Sequence, residues 1–312
     1  MPTEVTVLGS YATAIVVDTD LIPVTGQTVI GRNYRETFGG KGSDIAVQAA
    51  RLGAAVTFVG VIGDDQRGRD FLELMSTEAI DVSHCRISTE RPTGVGLIIK
   101  DRAAHNVIVV DPAANDLLGS QDLEAAADVL SSADVVVAQL ESPVATVMDG
   151  LTRAHAAGVR TVLNPAPAVA VETLTAHGRL DVIDVLTPNE TEARVLLGLP
   201  ADDQTPTDEL ARRLLALGPQ AVVITRGEDG ADIVTATQQA HVEALPVKAI
   251  DSNGAGDSFT AALSVALAEG QTLVDAASFA AATAGLCCEH WETVPSYQNR
   301  ATVENAMKKE AS

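Results

Sequence analysis

The chain has 312 residues, 46% of them hydrophobic and 20% charged, which is enough to bury a large core and lies near the upper limit for one compact domain. With 42 acidic against 21 basic side chains, the net charge of -21 repels nucleic acid and anionic membranes, so a phosphorylated ligand needs a local device: backbone amides, a helix N-terminus or a metal ion. Three cysteines, Cys85 and the adjacent Cys287 and Cys288, form neither an even disulfide framework nor a C-x-x-C metal pair and fit a reducing cytoplasm, while 3% aromatics exclude a base-stacking surface.

The N-terminus, MPTEVTVLGS, has no basic region before an apolar one, and no later window approaches ~18 uninterrupted apolar residues, so a soluble, cytoplasmic, unexported protein is expected. Short Val/Ile-rich runs follow: VTVLG at 5–9, VTFVGVIG at 56–63, VVVAQ at 135–139, TVLN at 161–164, VLT at 185–187 and AVVIT at 221–225. Between them GSDIAVQAARLG, PVATVMDGLTRAHAAG, NETEARVLLG, TDELARRLLALG and GDSFTAALSVALAEG read as helices, most closing on glycine. This alternation predicts an α/β fold over 1–312, a doubly wound, mostly parallel sheet covered on both faces. Residues 11–37 and 93–110 break the rhythm with strand-like pieces, TVIGRNYRET and TGVGLIIKDRAAHNVIVV, the second turning around Asp101 to Ala104. They read either as two surface hairpins or as a small discontinuous sheet, a lid over the C-terminal edge of the main sheet, where open α/β sheets bind ligands. The alanine run from Ala276 to Ala284 reads as a close-packed helix.

Gly40-Lys41 is followed by Gly42, so there is no G-x-x-x-x-G-K-[ST] loop, and neither H-E-x-x-H nor G-x-S-x-G occurs; Walker-type NTPases, zincins and α/β-hydrolases are excluded. Gly254 to Phe259 resembles the start of a dinucleotide fingerprint but lacks the third glycine and lies far from the first strand, which argues against a Rossmann dehydrogenase. What Asp251-Ser252-Asn253-Gly254-Ala255-Gly256-Asp257 supplies, directly before what reads as an amphipathic helix, is an anion hole beside a carboxylate. Small residues admit a ligand close to the backbone, and first-turn amides and the helix dipole favour negative charge. Alone, Asp257 reads as a capping residue; the adjoining Gly-Ala-Gly shifts the reading toward a ligand.

DSNGAGDSFTAAL at 251–263 resembles the second signature of the ribokinase-like (PfkB) carbohydrate kinases, and GGKGSDIAVQAARLG at 39–53 resembles the first. GDD at 63–65, QLESP at 139–143, NPAPA at 164–168, TPNETEA at 187–193 and ITRG at 224–227 follow in family order. The resemblance implies an ATP-dependent kinase that uses Mg²⁺ and transfers the γ-phosphate to a primary hydroxyl of a small sugar, ribose or a related pentose, ketose or polyol. It implies Asp257 as general base, with amides around Gly254, Ala255 and Gly256 holding the phosphoryl charge. Asn189 and Glu192 match an N-x-x-E element, Glu192 organising Mg²⁺ and Asn189 lying near the phosphates; an acidic helix start after Pro188 is the alternative. Thr225 and Gly227 match triphosphate contacts, and Gly40, Lys41, Asp44 and Glu141 fall where the family binds sugar hydroxyls.

The departures concern the substrate and the cation. Ribose-specific members carry Asn and Asp in a Gly-Ser-x-Asn-x-Asp pattern after the first strand, where this chain has Ala12 and Ala14, and the usual Asn of G-G-K-G-x-N is Asp44. Two hydroxyl ligands are missing and a carboxylate is added, which predicts a pocket less polar near Ala14 and a substrate other than D-ribose. A monovalent cation, K⁺, is implied at Asp251, the Asn253 carbonyl and Ser296, with the usual late-loop glycine replaced around Trp291-Glu292; Trp291 itself is expected to pack against the nucleotide-side loop. The resemblance further implies a homodimer formed through the lid sheets. A nucleoside kinase of the same fold and a non-catalytic sugar-binding regulatory protein are the competing readings.

Overall fold

The computed structural model describes residues 2–102 and 105–310. In chain order its strands are β1 (Glu4–Leu8), β2 (Ala12–Asp18), β3 (Arg32–Gly39), β4 (Ala55–Gly63), β5 (Cys85–Ser88), β6 (Gly94–Lys100), β7 (Asn106–Asp111), β8 (Val135–Ala138), β9 (Arg160–Leu163), β10 (Val185–Leu186), β11 (Ala221–Thr225), β12 (Ala231–Thr235) and β13 (Gln239–Val242). Nine of them form one sheet in the order β13-β12-β11-β10-β9-β8-β1-β4-β5. It is parallel from β11 to β5, and β12 and β13 add an antiparallel edge.

Because successive side chains of a strand point to opposite faces, the Val-rich runs feed two cores at once. Val135 and Val137 join Val5, Val7 and Phe58 in one layer, under the helices Lys41–Arg51, Ala255–Ala268 and Leu273–Cys287. Val136 and Ala138 join Leu8, Val59 and Val61 in the other, against helix Val144–Ala156. The helix after the anion-hole segment is not amphipathic as expected: every residue from Asp257 to Leu267 is buried, because it lies between the sheet and the two neighbouring helices. The alanine run sits within the helix Leu273–Cys287.

The two excursions from the α/β rhythm do form one sheet, in the order β3-β2-β6-β7. β2 and β6 pair in parallel from Ala12↔Gly94 to Asp18↔Lys100, joining what would otherwise be separate hairpins. The strand expected within TVIGRNYRET starts only at Arg32; Thr28 to Gly31 are irregular. The turn placed around Asp101 to Ala104 is closed by the Asp101 amide donating to the His105 carbonyl at 3.0 Å, while Ala103 and Ala104 lie outside the described residues. Among those described, no helix is long and apolar enough to cross a membrane.

Candidate active site

Helix Ala255–Ala268 begins immediately after Gly254, whose φ of +79° is left-handed and whose missing Cβ would lie 2.6 Å from the Tyr297 hydroxyl, so the turn requires glycine. A Cβ at Gly256, by contrast, would meet no atom within 4 Å. The backbone there faces open space at a helix N-terminus, where a ligand can approach. Of the three expected amides, that of Ala255 is already turned back on the Ser252 carbonyl at 3.2 Å.

Asp257 stands in the first helical turn and is 6% exposed. It does not cap the helix. Its Oδ1 lies 3.8 Å from the Lys41 Nζ and 3.4 Å from the Asn164 Nδ2, which also donates to the Thr260 hydroxyl at 3.2 Å. Burial pushes the Asp257 carboxyl up to about 6; the Lys41 ammonium opposes that rise, and Glu141 and Glu192 add to it. Lys41, far from being a loose surface charge, is held above its ordinary value chiefly by Asp257.

Two cavities meet at this pair. The smaller, of about 170 Å³, is walled by Gly40, Lys41, Asp44, Glu141 and Asp257 on the main-sheet side and, on the other, by the lid residues Ala12, Ala14, Val16, Phe38, Ile98 and Val110, with Arg35, Thr37 and Lys100 also lining it. Ala12 and Ala14 thus belong to the apolar part of a lid wall that also carries Arg35, Thr37 and Lys100. Glu141, expected as a hydroxyl ligand, is held by short bonds: its Oε2 accepts from the Ser10 hydroxyl at 2.6 Å and from the Lys41 amide at 2.9 Å. The buried Gln139 supports both partners, donating to Ser10 at 3.1 Å and accepting from the Glu141 amide at 2.6 Å. Asp44 is 3% exposed, and its Oδ1 has no hydrogen-bond partner. Burial, and after it the charge of Asp257, raises its carboxyl well above the ordinary range. Asp44 thus enters the pocket with one carboxyl oxygen unpartnered and its neutral form favoured by burial.

The larger cavity, about 380 Å³, is lined by Lys41, Asn189, Glu192, Thr225, Gly227, Gly256 and Asp257 among others. Asn189 and Glu192 form a reciprocal capping box, each side chain accepting the other's backbone N–H at 2.8 Å. The helix start is capped as that alternative expected, and the box, which engages the Glu192 Oε2, leaves the residue lining the cavity. Burial raises the Glu192 carboxyl. Among the described residues no group of three or more His, Cys, Asp or Glu is placed to hold a metal ion. Thr225, at the end of β11, is brought beside Asn189 by a parallel bridge.

Of the remaining predicted residues, Asn253 lines both cavities, while Asp251 and Ser296 line neither. Asp251 carries the Lys100 ammonium at 3.0 Å, and Ser296 donates to the Thr293 carbonyl at 2.6 Å. Trp291 does not pack into the nucleotide-side loop: it is 57% exposed and sits 5.6 Å from the Lys100 Nζ. Ser10, Gln139 and Asn164 escaped the sequence reading as site residues, although all lie in or beside quoted motifs.

A buried carboxylate beside a helix N-terminus, between a small polyol-sized cavity and a larger cavity at the strand ends, is the equipment of a phosphotransferase with an alcohol acceptor. The pfkB family carbohydrate kinase model matches residues 2–300. The chain is 38% identical over 266 residues to a ribokinase of Mus musculus, covering 85% of this chain and 81% of that one, and 30% identical over 256 residues to a deoxyribokinase of Salmonella typhimurium, covering 82% and 83%. The solved structure of Arabidopsis thaliana ribokinase complexed with ribose and ATP superposes with a TM-score of 0.87 at 28% identity, covering 99% of both chains. The chain belongs to the pfkB family of carbohydrate kinases.

Proposed function

We propose that this kinase transfers the γ-phosphate of ATP to a primary hydroxyl of a small sugar, with Asp257 as the general base. The observation that carries this reading is that Asp257 and Lys41 line both cavities, so one carboxylate faces the sugar and the phosphate sites together. In the reaction the sugar O–H proton passes to the Asp257 carboxylate as the oxygen–phosphorus bond forms and the bond from phosphorus to the ADP oxygen breaks. Lys41 keeps Asp257 ionised against its burial, and the amides of Gly254 and Gly256 face the phosphoryl charge. Asn189, Thr225 and Gly227 line the phosphate cavity, and Glu192 is the side chain that would hold Mg²⁺. When bound, the ion neutralises charge on the phosphate oxygens.

In the sugar cavity Gly40, Lys41, Asp44 and Glu141 offer polar contacts, while Ala12 and Ala14 offer methyl groups. This division supports a substrate that lacks or displaces hydroxyls on the Ala12/Ala14 face, such as a deoxypentose, over D-ribose; relatives named ribokinase and deoxyribokinase are both among the similar chains. A cavity of about 170 Å³ lies below the ~300–1,000 Å³ of sites that take drug-sized ligands, which favours a monosaccharide over a nucleoside. We propose further that the enzyme is a homodimer joined through its lids. Leu97, Val107 and Val109, on the lid face away from the pocket, are 48%, 43% and 60% exposed, an apolar patch beside the open edge of β7; sedimentation analysis tests it. An ADP-release screen over pentoses, ketoses, deoxysugars, polyols and nucleosides tests the substrate. Turnover with none of them returns the protein to the non-catalytic reading.

A further inference from the structure

The segment that ends in the anion-hole turn is anchored at Asp251, whose side chain is 8% exposed. Its Oδ1 accepts the Asn253 amide at 3.2 Å. Its Oδ2 accepts the Glu292 amide at 3.3 Å and the Lys100 ammonium at 3.0 Å. Lys100 is itself 14% exposed and comes from the end of lid strand β6. Glu292 holds φ at +69°, in the left-handed region that disfavours a side chain, and it replaces the late-loop glycine expected from the resemblance. Its carboxylate accepts from Arg35 Nε at 3.0 Å and from the Thr37 hydroxyl at 2.9 Å, both on lid strand β3. Two lid strands are thus fastened to the start of one loop, one by a cation and one through a strained residue.

These contacts decide whether the residues of the implied alkali-cation site fit such an ion. An alkali cation needs several oxygens free to face it. The Ser296 hydroxyl and the Asn253 carbonyl keep lone pairs, with the Cys287 sulfur 3.0 Å and 3.8 Å away, but the Asp251 carboxylate, the charged member of the set, already carries a fixed ammonium. The donor set does not fit, because a second cation at Asp251 would meet the charge of the first. We propose that Lys100 is the resident cation of this loop: a positioning residue, carried by the lid, that holds Asp251 and through it the turn at Asn253 to Gly256, in place of an alkali ion. The anion hole is then set by the seating of the lid. This inference rests on the kinase reading above for its effect on rate, but not for its effect on ion binding.

Trp291, the sole tryptophan of the chain, stands over Lys100 and reports on the site directly. The test compares wild type, Lys100→Met and Lys100→Arg in KCl, NaCl and tetramethylammonium chloride at equal ionic strength, reading tryptophan fluorescence, melting temperature and kinetics. Wild type should give the same fluorescence and melting temperature in all three salts. Lys100→Met should acquire a saturable, K⁺-specific fluorescence change and lose roughly tenfold or more in kcat, and K⁺ should restore part of the loss. Lys100→Arg, which keeps the charge, should show no K⁺ effect on fluorescence or melting temperature. A saturable K⁺ response in wild type overturns the proposal, and so does full kcat in Lys100→Met. The wild-type arm decides even where the Met variant fails to fold, and the fluorescence arm decides even where no sugar is turned over.

Discussion

Replacing Asp257 by Asn separates the chemistry of the buried carboxylate from its cost to the fold. With the carboxyl raised to about 6 in the folded protein against ~3.9 in an unfolded chain, the folded state binds more protons between those two values. Stability attributable to this group therefore falls as pH rises from 4 to 6 and stays low above that. A gap of about two pKa units is about 3 kcal/mol. Asn removes that cost but leaves the Lys41 ammonium without its partner; Lys41 is 29% exposed and able to hydrate, so a net gain of about 1–3 kcal/mol at neutral pH is expected. At ~2.1 cal/mol/K per residue, this corresponds to roughly 2–5 °C in melting temperature. Turnover should fall by about 10²–10⁴ with ATP affinity within a few fold, because a base lost from the transition state costs rate rather than ground-state binding. Paired melts of wild type and variant from pH 4 to 8, with coupled ADP release at neutral pH, measure both effects. Near-normal turnover would remove Asp257 from the mechanism, and a melting difference that does not change with pH would refute the raised carboxyl.

Glu192→Gln keeps the capping box, since Gln serves at that position as well as Glu, yet should raise the Mg²⁺ concentration for half-maximal rate; an unchanged Mg²⁺ titration would leave Glu192 with the cap alone. Ala12→Asn with Ala14→Asp should raise kcat/KM for ribose relative to the best alternative by about five- to thirtyfold per restored contact, and a tenfold preference of wild type for ribose would defeat the specificity argument. Asp44→Asn should hold activity at pH 7 within about fivefold and gain stability over wild type as pH rises, since burial raises the Asp44 carboxyl whereas Asn never has to bury a charge. Collapse of activity at neutral pH would mean that Asp44 works ionised.

The architecture was legible wherever burial on both faces of a strand demanded an unbroken apolar run, as in Val135–Ala138. It was not legible at β5, where Cys85-Arg86-Ile87-Ser88 pairs through the main chain with an apolar neighbour and needs no pattern of its own. The β12–β13 edge hides likewise, because Asp232 and His241 face each other at 2.7 Å and interrupt the alternation. In the site, residues whose roles depend on one turn of chain, such as Gly254 and Asp257, stand out in sequence. Ser10, Gln139 and Asn164 reach Glu141, Ser10 and Asp257 respectively across separations of more than ninety residues, which no local pattern marks. Lys100 belongs to the same class: its partner Asp251 is 151 positions away.

The parallel pairing of β2 with β6 has an evolutionary consequence. On the proposed reading, the wall that selects the sugar is carried by a small plate made of two chain excursions, while the base and the phosphate cradle stand on the main sheet. A substitution at position 12 or 14 changes which hydroxyls are accepted and leaves the Gly254–Asp257 turn untouched. Descendants of such a chain can exchange one sugar for another in single steps without passing through an inactive catalyst. The limit on that freedom is Lys100, the lid residue on which the turn itself relies.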